Sequence, residues 1–363
     1  MKSFLLVVLM TITFGFNAEA ESKSRSSNDH RRQPSRHVSG QNRSKRALVP
    51  KFELIKSICL PGRFTHVQSM ALGNEEVVFL GNDLGQLICL DVVAGFEPVA
   101  TNQIAGGLVT SVCVQGGLIY TTSAGENSQI RVAQATAPFD EITTINAETF
   151  VGGIDVEKNV VVSTGNVGSM AANSRMVAMA TMSDFGENAL LLDEFLNPTL
   201  VYPGVKGQTA VYSRRDGQLV GLIPNPLDQY GLQTQPILKI DGNRLFQISA
   251  GNRGAGIDVY ALNSLQRIGR IGQGMPNDVV AWDKFFFVGT EMGLVTAYID
   301  QNLGDSRLVA SIDLKQISGW DGTADIEIRS VAVLPDKDCL WILAASSHNG
   351  DQLAPSFFVI KFN

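Results

Sequence analysis

The clearest candidates for acid–base chemistry are His66 and His348, the only histidines after residue 46. Arg329 and Asp351 could supply a guanidinium and a carboxylate beside them. Together these groups could form a general acid–base site. The alternative is that His66 bonds to backbone at the start of a strand and that His348 lies exposed in a loop. No sequence spacing requires these side chains to meet, so both interpretations stay open.

Oxygen-rich residues offer a second candidate site at Asp321–Glu327, which reads Asp-Gly-Thr-Ala-Asp-Ile-Glu. Such side chains could coordinate a calcium ion, but the EF-hand spacing is missing, and a solvated turn explains the run equally well. No Cys-x-x-Cys pair or Cys/His cluster indicates zinc. We therefore expect no metal and no other cofactor.

The elements that would position these residues are short strands. The stretch Glu76–Asp91 has two apolar runs, Val77–Leu80 and Leu87–Leu90, separated by Gly-Asn-Asp-Leu-Gly. Apolar runs that flank such a turn predict a β-hairpin. No amphipathic helix of ordinary length is evident after Lys51, so the pattern predicts an all-β fold.

The hairpin pattern repeats along the chain. The residues that open its second strand recur at Gln86, Gln129, Arg175, Gln218, Gly256, Leu294 and Ser356. A pitch of about 40–45 residues is typical of a four-stranded propeller blade. The repeats predict seven antiparallel four-stranded units, and the last of them lacks a fourth strand. We expect Phe52–Leu60 to supply that strand beside Phe357–Phe362, which closes a seven-bladed β-propeller.

The third and fourth units are the least regular. In the third, Arg175–Met182 and Ala189–Phe195 are predicted as the last two strands. In the fourth, Leu200–Tyr202 is predicted as the first strand, and a poorly marked last strand is placed near Gly231. Four prolines crowd this stretch, and proline is confined to strand ends and edges.

Sequence segments such as Ser111–Ala124 and Gly289–Tyr298 resemble the repeats of seven-bladed WD-repeat and YVTN-type β-propellers. The resemblance covers about residues 51–363. The Gly-His and Trp-Asp signatures of true WD repeats are absent from their usual places, because Trp282-Asp283 follows a first strand and Trp320-Asp321 lies in a loop. A propeller architecture is compatible with many functions.

The resemblance implies one face around a central channel. On this face the first strand of each unit begins, and the second and third strands are joined. The binding residues expected on this channel face are Arg63, His66, Asp155, Arg253, Asp278, Glu291, Arg329, His348 and Asp351. Our leading hypothesis is a non-catalytic scaffold that binds a protein or peptide partner there. The alternative is a lactonase- or lyase-like enzyme for a sugar-derived small molecule, with His66, Arg329 and His348 as its catalytic candidates.

The N-terminal 46 residues predict export. A charged start, an apolar run and Ala18-Glu19-Ala20 make residues 1–20 a secretory signal peptide cut after Ala20. That apolar run is too short to span ~30 Å of hydrocarbon. Residues 21–46 carry eight basic and two acidic side chains and are predicted to be disordered. They end at a possible processing site after Arg46, so that residues 47–363 form the propeller, and Asn42 is a glycosylation sequon.

The charge distribution limits the expected partners. The chain carries −6 overall and the basic segment +6, so the propeller carries −12. An acidic body argues against nucleic-acid binding, and the basic segment could touch an anionic surface only weakly. We expect a secreted or periplasmic monomer without a transmembrane segment. The four cysteines lie in apolar runs, which favours buried thiols over disulfides.

Overall fold

The computed structural model describes residues 50–72, 75–104, 107–124, 128–136, 139–147, 151–156, 160–164, 168–169, 175–181, 188–193, 195–228, 230–234, 236–249, 256–272, 274–301, 305–317, 325–336, 339–348 and 354–363. The chain divides into two compact units, Met1–Ala47 and Leu48–Asn363. All described residues belong to the second unit. The expected cleavage sites at Ala20 and Arg46, and the sequon at Asn42, lie outside the described residues.

The described residues form β-strands almost throughout. The first strands are β1 (Phe52–Ile58), β2 (Phe64–Leu72), β3 (Glu75–Asn82), β4 (Gln86–Asp91), β5 (Glu97–Gln103), β6 (Val109–Gln115), β7 (Leu118–Ser123), β8 (Ser128–Gln134) and β9 (Glu141–Ala147). The middle strands are β10 (Val151–Val156), β11 (Val160–Thr164), β12 (Gly168–Ser169), β13 (Met176–Thr181), β14 (Asn188–Leu192), β15 (Pro198–Pro203), β16 (Gln208–Ser213) and β17 (Leu219–Pro224). The last elements are β18 (Ile237–Asp241), β19 (Arg244–Ile248), β20 (Ile257–Ala261), β21 (Arg267–Ile271), β22 (Pro276–Trp282), β23 (Phe285–Thr290), β24 (Leu294–Gln301), β25 (Asp305–Asp313), α1 (Leu314–Ile317), β26 (Ile326–Pro335), β27 (Leu340–His348) and β28 (Phe357–Phe362).

These strands build a β-propeller of small antiparallel sheets, which confirms the predicted all-β class. Hydrogen bonding among the described strands gives six sheets, in the orders β2-β3-β4-β5, β6-β7-β8-β9, β10-β11-β14-β15, β12-β13-β16-β17, β18-β19-β20-β21-β25-β24-β23-β22 and β1-β28-β27-β26.

The count of six sheets differs from the seven blades predicted. The predicted fifth and sixth units, β18–β21 and β22–β25, are joined into one eight-stranded sheet. Their outer strands β21 and β25 meet through a single parallel pairing of Arg270 with Asp305. The hydroxyl of Ser306 also donates to the Arg270 carbonyl at 3.0 Å. The sequence pattern of separate hairpins carries no sign of this contact between outer strands.

The predicted pairing of the first strand with the last is present. β1 runs antiparallel to β28, with Phe52 opposite Phe362 and Ile58 opposite Phe357. Lys51 and Asn363 extend the ladder by exchanging backbone hydrogen bonds of 3.3 and 3.1 Å. Residues of β1 alternate between half-buried and exposed, as expected of an outer strand that covers one edge of a sheet.

The predicted order of the third and fourth units is wrong. Arg175–Met182 was expected in the third unit, but β13 belongs to the next sheet and pairs with β16. Ala189–Phe195 corresponds to β14, which pairs with β11, and Leu200–Tyr202 lies in β15, the outer strand of that sheet. The two sheets are therefore interleaved along the chain. β13 is suited to its interior place because Val177–Thr181 is buried throughout, on both faces of the strand.

The hydrophobic core lies between successive sheets. Ile328 and Val331 of β26 pack with Phe287 of β23 in one layer. Leu334 of β26 and Phe357 of β28 pack with Leu80 of β3 in another. The final sheet thus buries both faces against its neighbours, as expected of a blade in a propeller.

The cysteines differ partly from expectation. All four are reduced thiols, but only Cys89 is buried, whereas Cys113 and Cys339 are half-buried and Cys59 is exposed. Burial, with a smaller effect from Asp91, raises the pKa of the Cys89 thiol to about 12. Cys59 is exposed because it directly follows the outer strand β1.

Candidate functional site

A β-bulge recurs near the start of the first strand in five units. It lies between Phe64 and His66, Val109 and Ser111, Val151 and Gly153, Pro276 and Asp278, and Ile328 and Ser330. We call the second residue of each pair the post-bulge residue. It is always followed by a β-branched apolar residue, namely Val67, Val112, Ile154, Val279 or Val331. Two predicted site residues, His66 and Asp278, therefore occupy equivalent positions in different units.

The residue opposite each post-bulge residue is small. These partners on the second strand are Gly81, Thr122, Ser163, Gly289 and Ala345. The reason is visible at Gly289, where an added Cβ would lie 2.6 Å from Ile328 Cγ2 and 3.0 Å from Val331 Cγ1. The first strand of the following unit therefore packs directly onto this position.

Asp278 links three first strands. Its Oδ1 lies 2.9 Å from Lys239 Nζ of β18 and accepts the Val279 N–H at 2.8 Å. Its Oδ2 accepts the Ser330 hydroxyl and the Val331 N–H of β26, both at 2.9 Å. With only 3% of the residue exposed, the carboxylate is fully engaged inside the protein. Asp278 was predicted to bind a ligand, and its contacts give it a structural role.

A weaker version of the same link occurs in the second unit. There the post-bulge Ser111 donates from Oγ to the carbonyl oxygen of Ile154 at 3.4 Å. In both units the post-bulge side chain reaches the backbone of the next first strand, one residue beyond that strand's own post-bulge residue. The bulge thus orients a polar side chain toward the neighbouring unit.

Glu291, Glu327 and Arg329 form an electrostatic cluster at the boundary between β22–β25 and the final sheet. Glu291 lies in the turn between β23 and β24, where its N–H donates to the Met275 carbonyl at 2.9 Å. Arg329 is the bulged residue of β26 and forms an ion pair with Glu327. Burial and the nearby Glu327 carboxylate raise the pKa of the Glu291 carboxyl, and the Arg329 guanidinium opposes that shift. Glu291 and Arg329, which were both predicted to bind a partner, therefore lie close enough to interact electrostatically.

This cluster makes a specific pH prediction. A carboxyl with a raised pKa binds more protons in the folded state than in the unfolded chain. Its contribution to stability therefore falls as the pH rises from the pKa of the unfolded state through the pKa of the folded state. We expect the Glu291→Gln variant to have about the same free energy of unfolding as wild type at pH 3.5. At pH 7 we expect its free energy of unfolding to be higher than that of wild type. Urea unfolding at both pH values measures the difference. A Glu291→Gln protein that is relatively less stable at pH 7 than at pH 3.5 would contradict the assignment.

Arg63 is tied to the turn between β3 and β4. Its N–H donates to Asp83 Oδ1 at 2.7 Å, and its carbonyl accepts the Asp83 N–H at 2.9 Å. Asn82 supports the same turn, since its buried amide donates to the Pro61 carbonyl and to Gln86 Oε1, each at 2.9 Å. The Arg63 residue itself is exposed, so its guanidinium is accessible at a rigidly held position.

The remaining predicted residues are placed only in part. The backbones of His66, Asp155 and His348 lie opposite Gly81, Val161 and Ile326. Arg253 and Asp351 lie outside the described residues, as do residues 321–324 of the calcium candidate; Asp325 contacts Lys315 at 3.1 Å. In the described part of the chain, no three His, Cys, Asp or Glu side chains are grouped to hold a metal. No helix there is long and apolar enough to span a membrane.

An apolar surface around β17 was missed by sequence analysis. Within the strand, Leu219 is 49%, Val220 43% and Leu222 41% exposed. The segment that follows, residues 226–234, exposes Leu227, Tyr230 and Leu232 at 59%, 78% and 65%. We call the described residues of this segment, 226–228 and 230–234, the apolar hairpin. The last strand of this unit was predicted near Gly231, but Gly231 lies in a turn, where its N–H donates to the Asp228 carbonyl at 3.1 Å, and β17 is the last strand of the sheet.

The apolar hairpin is held by its own hydrogen bonds. Asp228 Oδ1 accepts the N–H groups of Tyr230 and Leu232, both at 2.8 Å. The Thr234 N–H donates to the Pro226 carbonyl at 2.9 Å, and Gln233 Nε2 donates to the Gly207 carbonyl at 3.1 Å. Three large apolar side chains are therefore presented to solvent on a braced turn, in contrast to an unstructured loop.

Comparison with known proteins gives similarity of fold alone. No protein-family model and no curated protein sequence matches the chain. Among solved structures, BamB from Moraxella catarrhalis is similar, with 11% identity, a TM-score of 0.50, and coverage of 85% of this chain and 97% of that one. The computationally designed Ika8 protein is also similar, with 12% identity, a TM-score of 0.48 and coverage of 82% of each chain. The likeness to BamB supports the β-propeller assignment.

Proposed function

We propose that this protein is an exported binding scaffold that holds a protein or peptide partner through the apolar hairpin. The observation that carries the proposal is the exposure of Leu227, Tyr230 and Leu232 on a turn fixed by Asp228. Exposed apolar groups grouped at one place mark interaction sites. Tyrosine is also among the residues that contribute most to binding energy in protein interfaces.

The position of the hairpin agrees with the face on which we expected binding. Strands alternate in direction within an antiparallel sheet, so the end of β17 lies at the end of the sheet where β13 finishes and β16 begins. The Asn225 N–H donates to the Gly207 carbonyl at 3.1 Å, and the Gly207 N–H donates to the Thr181 carbonyl at 2.8 Å, which joins these three strand ends. Asp83 and Glu291 occupy the corresponding turns of other units.

Two polar residues of the expected site are engaged within the protein. The Asp278 carboxylate is used inside the protein, and Arg329 is neutralised by Glu327. The lactonase- or lyase-like alternative retains one favourable observation, the raised pKa of the Glu291 carboxyl beside Arg329.

We also propose that β18–β21 and β22–β25 act as two blades, which gives seven units. We further propose that cleavage after Ala20 and Arg46 releases residues 47–363.

Replacing Tyr230 and Leu232 together by Asp tests the proposed function. We expect the immobilised wild-type chain to capture a partner from the extracellular fraction of its source organism, and the Tyr230→Asp/Leu232→Asp variant to retain it at least about tenfold less well, as loss of one interface hot spot requires. Both side chains are mostly exposed, so the thermal midpoint should change little.

Val93→Asp provides the matched control, because Val93 is 79% exposed in the turn between β4 and β5. This variant should capture the same partner as wild type. Chemical cross-linking should then place the partner within reach of residues 226–234. Equal capture by all three proteins would reject the apolar hairpin as the binding site.

A further inference from the structure

The outer edge of β17 is unusual among the outer strands of this protein. Within the described chain, β17 ends its sheet, and no described strand pairs with its outer edge. Natural proteins protect such edges with charged residues, proline or β-bulges, and β17 has one bulge at Val220, between the pairs Val211–Gly221 and Tyr212–Leu219. Five of the other six outer strands in the described chain carry charge: β1 carries Glu53 and Lys56, β5 Glu97, β9 Glu141, β21 Arg267 and Arg270, and β25 Asp305, Arg307 and Asp313. β17, with the sequence Leu-Val-Gly-Leu-Ile-Pro, carries no charge.

β15 is the other uncharged outer strand, but it is less suited to pairing. Proline lies at both of its ends, at Pro198 and Pro203, and proline lacks the N–H that a ladder requires. β17 has proline only at Pro224, so five consecutive residues retain their N–H groups. β21 and β25 are excluded as edges because they pair with each other.

The two faces of β17 are unequal. Gly221 and Ile223 face the next sheet, since an added Cβ at Gly221 would lie 2.5 Å from Leu265 Cδ1, and Ile223 packs with Leu238 and Leu265. Val220 and Leu222 keep 43% and 41% of their surface exposed. An added strand would therefore find its main-chain partners on β17 and apolar contacts at Val220 and Leu222.

Charge at the start of β17 indicates what the added strand should carry. The preceding turn contains Arg214, Arg215 and Asp216. Hydrogen bonds from the Ser213 side chain and the Gln218 N–H, with a smaller electrostatic effect of Arg215, hold the pKa of the Asp216 carboxyl below its ordinary value, so the turn has two arginines and one engaged carboxylate. Arg215 is exposed. One end of an uncharged edge is thus locally positive on a propeller whose overall charge is acidic.

We propose that β17 binds an extended, uncharged β-strand of a partner as an antiparallel fifth strand, with an acidic residue at its C-terminal end beside Arg215. This inference rests on the proposed function and names the kind of partner segment involved. Antiparallel addition is chosen because it is the more stable pairing and puts the C-terminal end of the added strand next to the start of β17.

A second copy of the same chain fits this edge less well. Two copies related by a two-fold axis would pair β17 with itself antiparallel. That arrangement puts Arg215 of each copy beside the apolar hairpin of the other, whose one acidic side chain, Asp228, already accepts the Tyr230 and Leu232 N–H groups. The charge at Arg215 is better matched by a partner strand that ends in an acidic residue.

The test uses the full chain and fluorescent peptides blocked at both termini, Val-Thr-Ile-Thr-Val-Asp and the same peptide ending in Lys. We expect the acidic peptide to bind by fluorescence anisotropy and to protect the amides of Leu219–Ile223 from hydrogen exchange. Leu222→Lys should weaken it at least about tenfold, because a charge on the edge blocks strand addition. Arg215→Glu should weaken the acidic peptide about fivefold and favour the Lys-ending peptide, as expected of a rim charge.

Val99→Lys is the matched control, because Val99 is 54% exposed on the outer strand β5, and it should bind like wild type. No binding, binding unaffected by Leu222→Lys, or a dimer in sedimentation that Leu222→Lys abolishes would each overturn strand addition by a partner. Those results do not contradict the proposed function if capture of the partner by the immobilised chain still depends on Tyr230 and Leu232. Conversely, capture indifferent to those two residues rejects the proposed function even where the peptide binds β17.

Discussion

Asp278→Ala is expected to lower the free energy of unfolding by about 3 kcal/mol, which is within the range for breaking a buried charged network. The substitution leaves the Ser330 hydroxyl and the Val331 N–H buried without their acceptor. An unsatisfied buried group costs about 1–3 kcal/mol. Lys239, by contrast, is 37% exposed and can regain water, which keeps the total toward the lower end. In urea unfolding, the midpoint should fall with little change in the slope.

Two matched variants separate the parts of this network. Lys239→Met leaves both hydrogen bonds to β26 but removes the cation beside the buried Asp278 carboxylate, so it should cost about 3 kcal/mol, as expected when one partner of a buried ion pair is lost. Ser330→Ala removes one donor and should cost about 1 kcal/mol. If Asp278→Ala costs no more than Ser330→Ala, the carboxylate does not hold β22 against β26.

Much of the strand pattern could be predicted because it is local. The hairpin of β3 and β4 follows from apolar runs around Gly81–Gly85, and equivalent runs marked most other strands. The pairing of β1 with β28 followed from counting, since the last unit lacked a strand and Phe52–Leu60 had no other unit to join. Neither inference required knowledge of which sheets contact each other.

The interleaved sheets could not be predicted because pairing partners are not encoded in local pattern. Arg175-Met176 and Gln218-Leu219 were aligned as starts of third strands, 43 residues apart. In the structure the first opens β13, which pairs with β12 and β16, and the second opens β17, the outer strand of the same sheet. The 43-residue spacing between these two strand starts is present, but the strands belong to a different sheet from the one predicted for the first of them. The reason is that β14 and β15, which belong to the preceding sheet, lie between β13 and β16 in the chain.

The sequence indicated where along the strands the candidate residues lie, but not what their side chains contact. Asp278, Glu291 and Arg329 were assigned to neighbouring strand ends, and the structure brings Glu291 and Arg329 into one electrostatic cluster. The sequence did not indicate that Asp278 would accept hydrogen bonds from Ser330 and Val331. Those bonds depend on the β-bulges, and the position of a bulge is set by the pairing register of the folded strands. The apolar hairpin was missed for a similar reason: the Asp228 hydrogen bonds that expose Tyr230 are a property of the folded turn.

Gly289→Ala is expected to destabilise the protein by about 1–3 kcal/mol, the usual range for overpacking a core. The new methyl group would lie 2.6 Å from Ile328 Cγ2 and 3.0 Å from Val331 Cγ1. Both neighbours are buried, at 0% and 3% exposure, so neither can move into solvent. Gly289→Val should cost more, because two further methyl groups enter the same space. Chemical denaturation of each variant measures the loss.

The origin of that cost can be tested with a double-mutant cycle. Ile328→Ala is destabilising by itself because it creates a cavity, but it removes the atom that the new Cβ meets. We therefore expect Gly289→Ala to cost less in the Ile328→Ala background than in wild type, a coupling expected of residues in contact. Gly81→Ala should behave like Gly289→Ala, since its Cβ would lie 2.7 Å from Val109 Cγ1. Additive effects at Gly289 and Ile328 would show that a different contact requires the glycine, and the shared packing rule between units would lose its basis.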